Sequence, residues 1–190
     1  ELYEATFDIK YLDESIKLTD LMIEEFWDKE NHGFFVTATD ELLIRSKEIY
    51  DGAIPSGNSV ALMDLIKLYK LTSKEEYKEK VRLSFEAHGE QINQHPAAFT
   101  HMLSAYDYFT GNAKELVIVG SIDQTFIHDL NKKFNPKLTV LHKSDENSQH
   151  LTSLIPYTQA YHSVNNNTTY YLCENFVCRK PEVDSKHLNL

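Results

Sequence analysis

From Val60 to Leu71 the chain reads VALMDLIKLYKL, apolar nearly all round and interrupted only by Asp64, Lys67 and Lys70. A helix with apolar residues on every face must be surrounded by others, so this run predicts a buried helix inside a larger helical assembly. The rest of the chain can supply the surroundings. With 190 residues, 42% of them hydrophobic and 12% aromatic, it can bury a sizeable core as one domain or two small ones. A formal charge of −10 argues against nucleic acid or an anionic membrane as the main partner. No run reaches the length of a membrane-spanning helix, and the opening ELYEATFDIK lacks the basic and apolar regions of a signal peptide, so a cytoplasmic location is expected. The chain opens without Met and inside a helical pattern, which suggests a piece of a longer polypeptide whose N-terminal part would be its partner.

An internal repeat points the same way. Leu2-Tyr3-x-x-Thr6 followed by Tyr11 has the spacing of Leu68-Tyr69-x-x-Thr72 followed by Tyr77, and Tyr106 to Gly111 is a weaker third echo. Each copy reads as helix, short turn, helix, the kind of unit that stacks with neighbours into solenoids or closed toroids. Residues 1 to 7 finish one helix and Tyr11 to Asp28 form the next, with Leu12, Ile16, Ile23 and Trp27 near helical spacing. A further helix covers Lys74 to Asn93, opened by a capping-box pattern at Ser73 to Glu76, with Tyr77, Val81, Phe85, His88 and Ile92 as its inner stripe. Pro96 then starts another helix, which Gly111 stops.

Between the first two complete helices lies a long excursion, residues 29 to 57, and ordered loops of this length are often functional. Gly33 to Thr37 reads as a short strand, with Leu42 to Arg45 as its hairpin partner across residues 38 to 41. The excursion ends in Asp51-Gly-Ala-Ile-Pro-Ser-Gly-Asn-Ser59, a cluster of polar groups at the start of the apolar helix. Unpaired N–H groups and the positive end of the helix dipole meet there, which suits an anion, hydroxyl or carbonyl ligand. The same residues also make an ordinary helix cap, with Ser56 or Asn58 accepting an early N–H. The hairpin would bring Arg45 and Lys47 towards Asp51, where a basic pair binds an acidic group, holds Asp51 ionised, or forms a surface ion pair of little weight. His32, beside Gly33, is the histidine best placed for chemistry, and no helix carries an H-x-x-x-H metal pair.

Near Thr110 the pattern changes. Glu115 to Gly120 reads as a buried strand, Ser121 to Phe134 as a helix and Leu138 to His142 as a second strand, a β-α-β unit with a small parallel sheet. Gly120 stands without the G-x-G-x-x-G spacing of a dinucleotide site. Lys143 to His150 reads as a loop and Asn165 to Asn167 as a turn. Residues 168 to 178 resemble a terminal hairpin turning at Glu174-Asn175, which sets Cys178 opposite Tyr171 and leaves Cys173 a diagonal neighbour, roughly 7–8 Å away at Cα. That separation predicts reduced thiols; a zinc site would have to recruit His142 or His187. The organisation expected is therefore helical hairpins over 1–112 and a small α/β subdomain over 113–190, with no cofactor and no metal.

Phe26-Trp27, Gly33-Phe34-Phe35, Arg45-x-Lys47, Asp51 to Ser59, the Leu-Tyr-x-x-Thr turn, the strand ending at Gly120 and Cys173-x4-Cys178-x-x-Pro181 together resemble the C-terminal part of the YyaL family of thioredoxin-domain-containing proteins, the spermatogenesis-associated thioredoxin-like family. The resemblance covers most of the chain, and Pro-Ser-Gly-Asn-Ser is its most specific element. It implies a mainly α fold, the last hairpins of an (α/α)6 toroid similar to that of N-acylglucosamine 2-epimerases and six-hairpin glycosidases, followed by the small α/β part. It also implies a sugar-directed pocket at one end of the toroid, epimerase-like or glycosidase-like. There Asp51 would be the general acid or base, and Arg45, Lys47, Ser56, Asn58 and His32 would bind a sugar-like ligand. A glycosidase needs a second carboxylate, for which Glu41, Glu48 and Asp64 are candidates. The alternative is a non-catalytic scaffold or peptide-binding domain attached to the thioredoxin-like domain, marked by an apolar groove along Phe34, Phe35 and Tyr50. As part of a ring, the isolated piece is expected to self-associate through its open apolar faces.

Overall fold

The computed structural model describes residues 1–38 and 44–188. It divides into two compact units, one of residues 14–69 and 73–111, the other of residues 1–13, 70–72 and 112–190.

The first unit is helical. It takes most of α2 (Ile9–Phe26) and α3 (Gly57–Thr72), then α4 (Glu75–Gln94) and α5 (Thr100–Thr110). Helix α3 is buried as its composition requires: Leu62, Leu65 and Ile66 are wholly enclosed. The inner stripe of α4 holds at Tyr77, Val81 and Ile92, while Phe85 and His88 are half-buried. The repeat has a structural basis, because both copies end in the same turn. Phe7, just after α1 (Leu2–Thr6), and Ser73, just after α3, adopt the left-handed conformation, and their N–H groups donate to Tyr3 and Tyr69 respectively. In each the next helix starts two residues on. The third echo differs, since Gly111 after α5 is extended. The left-handed turn at Ser73 also removes the expected capping box: Ser73 ends α3, and Lys74 opens α4 without a side-chain cap. Pro96 begins a 3-10 turn (Pro96–Ala98), and α5 follows it from Thr100.

Within the excursion, Gly33 to Thr37 forms no extended strand. Phe34 makes one bridge, to Trp27, and the N–H of Val36 donates to Ser46. Most of the turn proposed at 38–41, including Glu41, and half of its partner segment, Leu42 and Leu43, lie outside the described residues.

The second unit carries a four-stranded sheet in the order β2-β1-β3-β4, from β1 (Lys114–Val119), β2 (Leu138–Lys143), β3 (Thr169–Glu174) and β4 (Val177–Cys178). The β1 and β2 strands are parallel, joined through α6 (Gln124–Asn131), which Asp123 caps. The pattern of a β-α-β unit is therefore realised, with the helix shorter than the sequence suggests. Leu116, Ile118, Ile127, Leu130, Val140 and Tyr170 form its core. The segment expected as a loop after β2 instead contains α7 (Ser148–Leu154). The turn at 165–167 forms as expected, with Asn165 and Asn166 left-handed inside a bridge from Val164 to Asn167.

The turn of the terminal hairpin falls one residue later than expected, which shifts the strand pairing by two. Asn175 and Phe176 are the left-handed pair, so Cys173 lies directly opposite Cys178 instead of diagonal to it. At a Cα separation of 3.8 Å the two are joined as a disulfide, which overturns the expectation of reduced thiols. Two adjacent left-handed residues twist a hairpin as its strands twist, and Asn175 and Phe176 form such a two-residue turn in place of Glu174-Asn175. The Tyr161 hydroxyl approaches the Cys178 sulfur at 3.1 Å.

Candidate functional site

The segment from Asp51 to Ser59 is built around helix starts. Ser56 is the N-cap of α3: its Oγ accepts the N–H of Ser59 and lies 2.8 Å from the Ser59 Oγ. Asp51 works at longer range. One carboxylate oxygen accepts the N–H of Ser56, and the other accepts the N–H groups of His101 and Met102 at 2.8 and 3.0 Å, in the first turn of α5. No side chain local to α5 caps it. Burial by itself would push the Asp51 carboxyl up, but these N–H donors and the Ser59 hydroxyl outweigh it and hold the group below its ordinary value. An ionised carboxylate against two helix starts is a favourable arrangement of charge and dipole. It also leaves that carboxylate a poor proton donor.

Asn58 fixes the loop to the helix. Its Oδ1 accepts the N–H of Phe34, and its Nδ2 donates to the carbonyls of Phe34 and Glu48. The side chain thus imitates a strand partner for a segment that lacks one. Gly33, at φ +76, lies so near that a Cβ would sit 2.7 Å from the His88 Nε2 and 3.3 Å from the Asn58 Oδ1.

The carboxylate that Lys47 meets is Asp28. The Lys47 Nζ donates to Asp28 Oδ2 and to the His32 carbonyl, both at 2.7 Å. Asp28 is buried, and burial opposes its charge, yet Lys47 and the N–H groups of Asn31 and Glu30 hold its carboxyl at about 2. Arg45 donates to the carbonyls of Thr37 and Glu25 and stacks over the Phe35 ring at 4.0 Å. His32 is left-handed and stacked on Trp27, and its Nδ1 is buried without a hydrogen-bond partner. The His88 Nε2 is also buried and unpartnered, and burial together with the Lys47 charge pushes that imidazole down.

Beside this framework runs an open groove of about 470 Å³, lined by Phe26, Phe34, Phe35, Tyr50, Ile54 and Asn58 among others. Its polar members are Glu48, Ser56 and Asn58. The Ser56 and Asn58 side chains are already bonded within the protein, and a Glu48 carboxylate oxygen accepts the N–H of Tyr50. Tyr50 and Ile54 are 58% and 77% exposed, so the groove offers apolar and aromatic surface to a ligand. Sequence reasoning placed Asp51, Ser56 and Asn58 correctly at a helix start. It missed Asp28 as the partner of Lys47, because nothing in the spacing joins residues 28 and 47 before the loop is folded. Among the described residues no group of three or more His, Cys, Asp or Glu is arranged to hold a metal ion, and no helix is long and apolar enough to cross a membrane.

No protein-family model matches the chain. It is 26% identical over 191 aligned positions to proteins of rat and human, the match taking in 97% of this chain and 24% of each relative. These homologues are spermatogenesis-associated protein 20. An uncharacterised protein of Caenorhabditis elegans is 30% identical over 187 positions, 95% of this chain and 25% of the relative. The chain thus spans about a quarter of the length of spermatogenesis-associated protein 20 and of the nematode relative.

Proposed function

We propose that the chain is the C-terminal part of a thioredoxin-domain-containing protein of the YyaL type, its helices the last hairpins of an (α/α)6 toroid, and that it acts there as a non-catalytic binding module. Its ligand is an apolar peptide segment seated in the groove beside the start of α3. One observation carries this reading: the Ser56 and Asn58 side chains of the groove are bonded within the protein, and the rest of its lining, Glu48 apart, is apolar or aromatic surface such as Phe35, Tyr50 and Ile54. Asp51 takes a structural role, as an anion between two helix starts. Phe34 already has both its N–H and its carbonyl bonded to Asn58, so recognition proceeds through side chains and not by strand addition.

The test is a titration of the isotope-labelled chain with short peptides carrying Leu or Phe, alongside Tyr50→Ala and Ile54→Ser. Saturable amide shifts around Tyr50 and Gly57, lost in both variants, support the module. Peptides that leave these amides unmoved reject it.

A sugar-directed reading has one observation in its favour. Phe35, Tyr50 and the Glu48 carboxylate line the same groove, and a pyranose presents C–H faces to rings and hydroxyls to carboxylates. In that case Glu48, not Asp51, is the acid or base. Shifts at the same amides with amino sugars but not with peptides favour this alternative.

A further inference from the structure

The second unit holds a cavity of its own, at the carboxyl ends of the parallel strands β1 and β2. It measures about 630 Å³, within the range of small-molecule sites. Ligands of open sheets gather at the carboxyl ends of strands, where successive connections leave in opposite directions. Here the chain passes from β1 through α6 to β2 on one side, then returns to place β3 on the other side of β1. Gly120, at φ +106, ends β1, and a Cβ there would lie 3.3 Å from the Thr168 Cα; glycine lets these two segments meet at the mouth of the cavity.

Lys143, the last residue of β2, lies in the cavity wall and is only 7% exposed. Its ammonium donates to the carbonyls of Thr158 and Tyr161, each at 2.8 Å, which leaves one of its three protons. A buried ammonium is ordinarily matched by a carboxylate. Among the described residues none is paired with Lys143, and the one acid in the lining, Asp145, is exposed. Burial accordingly pushes the amine down, with no opposing charge to raise it. The remaining wall is rich in hydroxyls and amides: Ser121 and Thr168, whose hydroxyls are 3.0 Å apart, with Ser144, Gln159 and Asn166.

We propose that this cleft binds a small polyhydroxylated anion, its carboxylate or phosphate on the Lys143 ammonium and its hydroxyls along the rim of Ser121 and Thr168. The site is independent of the groove beside α3 and stands or falls without it.

The experiment is a titration of the full isotope-labelled chain with gluconate, with glucose 6-phosphate and with neutral glucose, on wild type, Lys143→Met, Lys143→Arg and Ser121→Ala. The expected result is saturable shifts of the Gly120, Ser121 and Ser144 amides with at least one of the two anions, and none with glucose. Affinity falls about tenfold or more in Lys143→Met and stays within about threefold in Lys143→Arg, as loss and retention of a charge-assisted contact require. Preference between the two anions distinguishes carboxylate from phosphate. The proposal is overturned if neither anion shifts these amides, if glucose shifts them equally, or if Lys143→Met binds as wild type does. Should Lys143→Met fail to fold, Ser121→Ala decides: weakened anion binding upholds the site and unchanged binding overturns it.

Discussion

The Asp51 carboxylate accepts the N–H of Met102 at 3.0 Å, so a loop residue caps a helix that begins some fifty positions further along the chain. Replacing Asp51 with Ala removes acceptors from three buried or half-buried N–H groups. A loss of about 2–3 kcal/mol is expected, at the upper end for a cap because the bonds are charge-assisted. Urea unfolding of wild type and Asp51→Ala measures it; equal midpoints would show that the carboxylate contributes nothing to the fold.

Asp28 and Lys47 make the acid behaviour of the helical unit specific. The Asp28 carboxyl lies at about 2 in the folded chain, below the unfolded carboxyl value near 4. Its contribution is therefore complete above about pH 4 and lost as pH falls towards 2. Asp51 is depressed too and adds in the same direction. In Asp28→Asn, stability at neutral pH should be lower and its decline between pH 4 and pH 2 shallower; melts at several pH values give both quantities.

Gly33→Ala should cost about 1–3 kcal/mol, because the backbone is left-handed and the added methyl meets the His88 ring nitrogen. The double variant Gly33→Ala with His88→Ala should recover part of that loss. A double variant no more stable than Gly33→Ala would assign the whole effect to the backbone.

The disulfide closes a short loop, Cys173 to Cys178, and its loss is expected to lower stability by about 2 kcal/mol from chain entropy alone. Thermal melts with and without a thiol reductant, alongside Cys173→Ser with Cys178→Ser, test this. Melting unaffected by reductant in the wild type would contradict it.

Much of the framework can be read from residue spacing. The apolar run of α3, the stripe of α4 and the β-α-β unit follow from periodicity, and the Leu-Tyr-x-x-Thr repeat marks one turn used twice. What could not be read depends on where the chain meets itself. Asp51 and Ser59 advertise a helix start, yet the second helix that Asp51 caps is invisible until Met102 lies beside it. Lys47 has many acids within reach along the sequence, and only the folded loop selects Asp28. The cysteine pairing hinges on a one-residue shift of the turn, and Asn175-Phe176 is a turn that composition alone ranks below Glu174-Asn175. Lys143 reads as the first polar residue after a strand, whereas its burial depends on carbonyls at Thr158 and Tyr161.

Strand β1 is flanked by β2, which follows within twenty-odd residues, and by β3, which begins only at Thr169. A ribosome extending this chain therefore leaves the β3-facing side of Leu116, Val117 and Ile118 open for the time needed to add some fifty further residues. Such an edge is a template for another strand. Termination within that interval would leave a product with the β3-facing side of β1 unpaired.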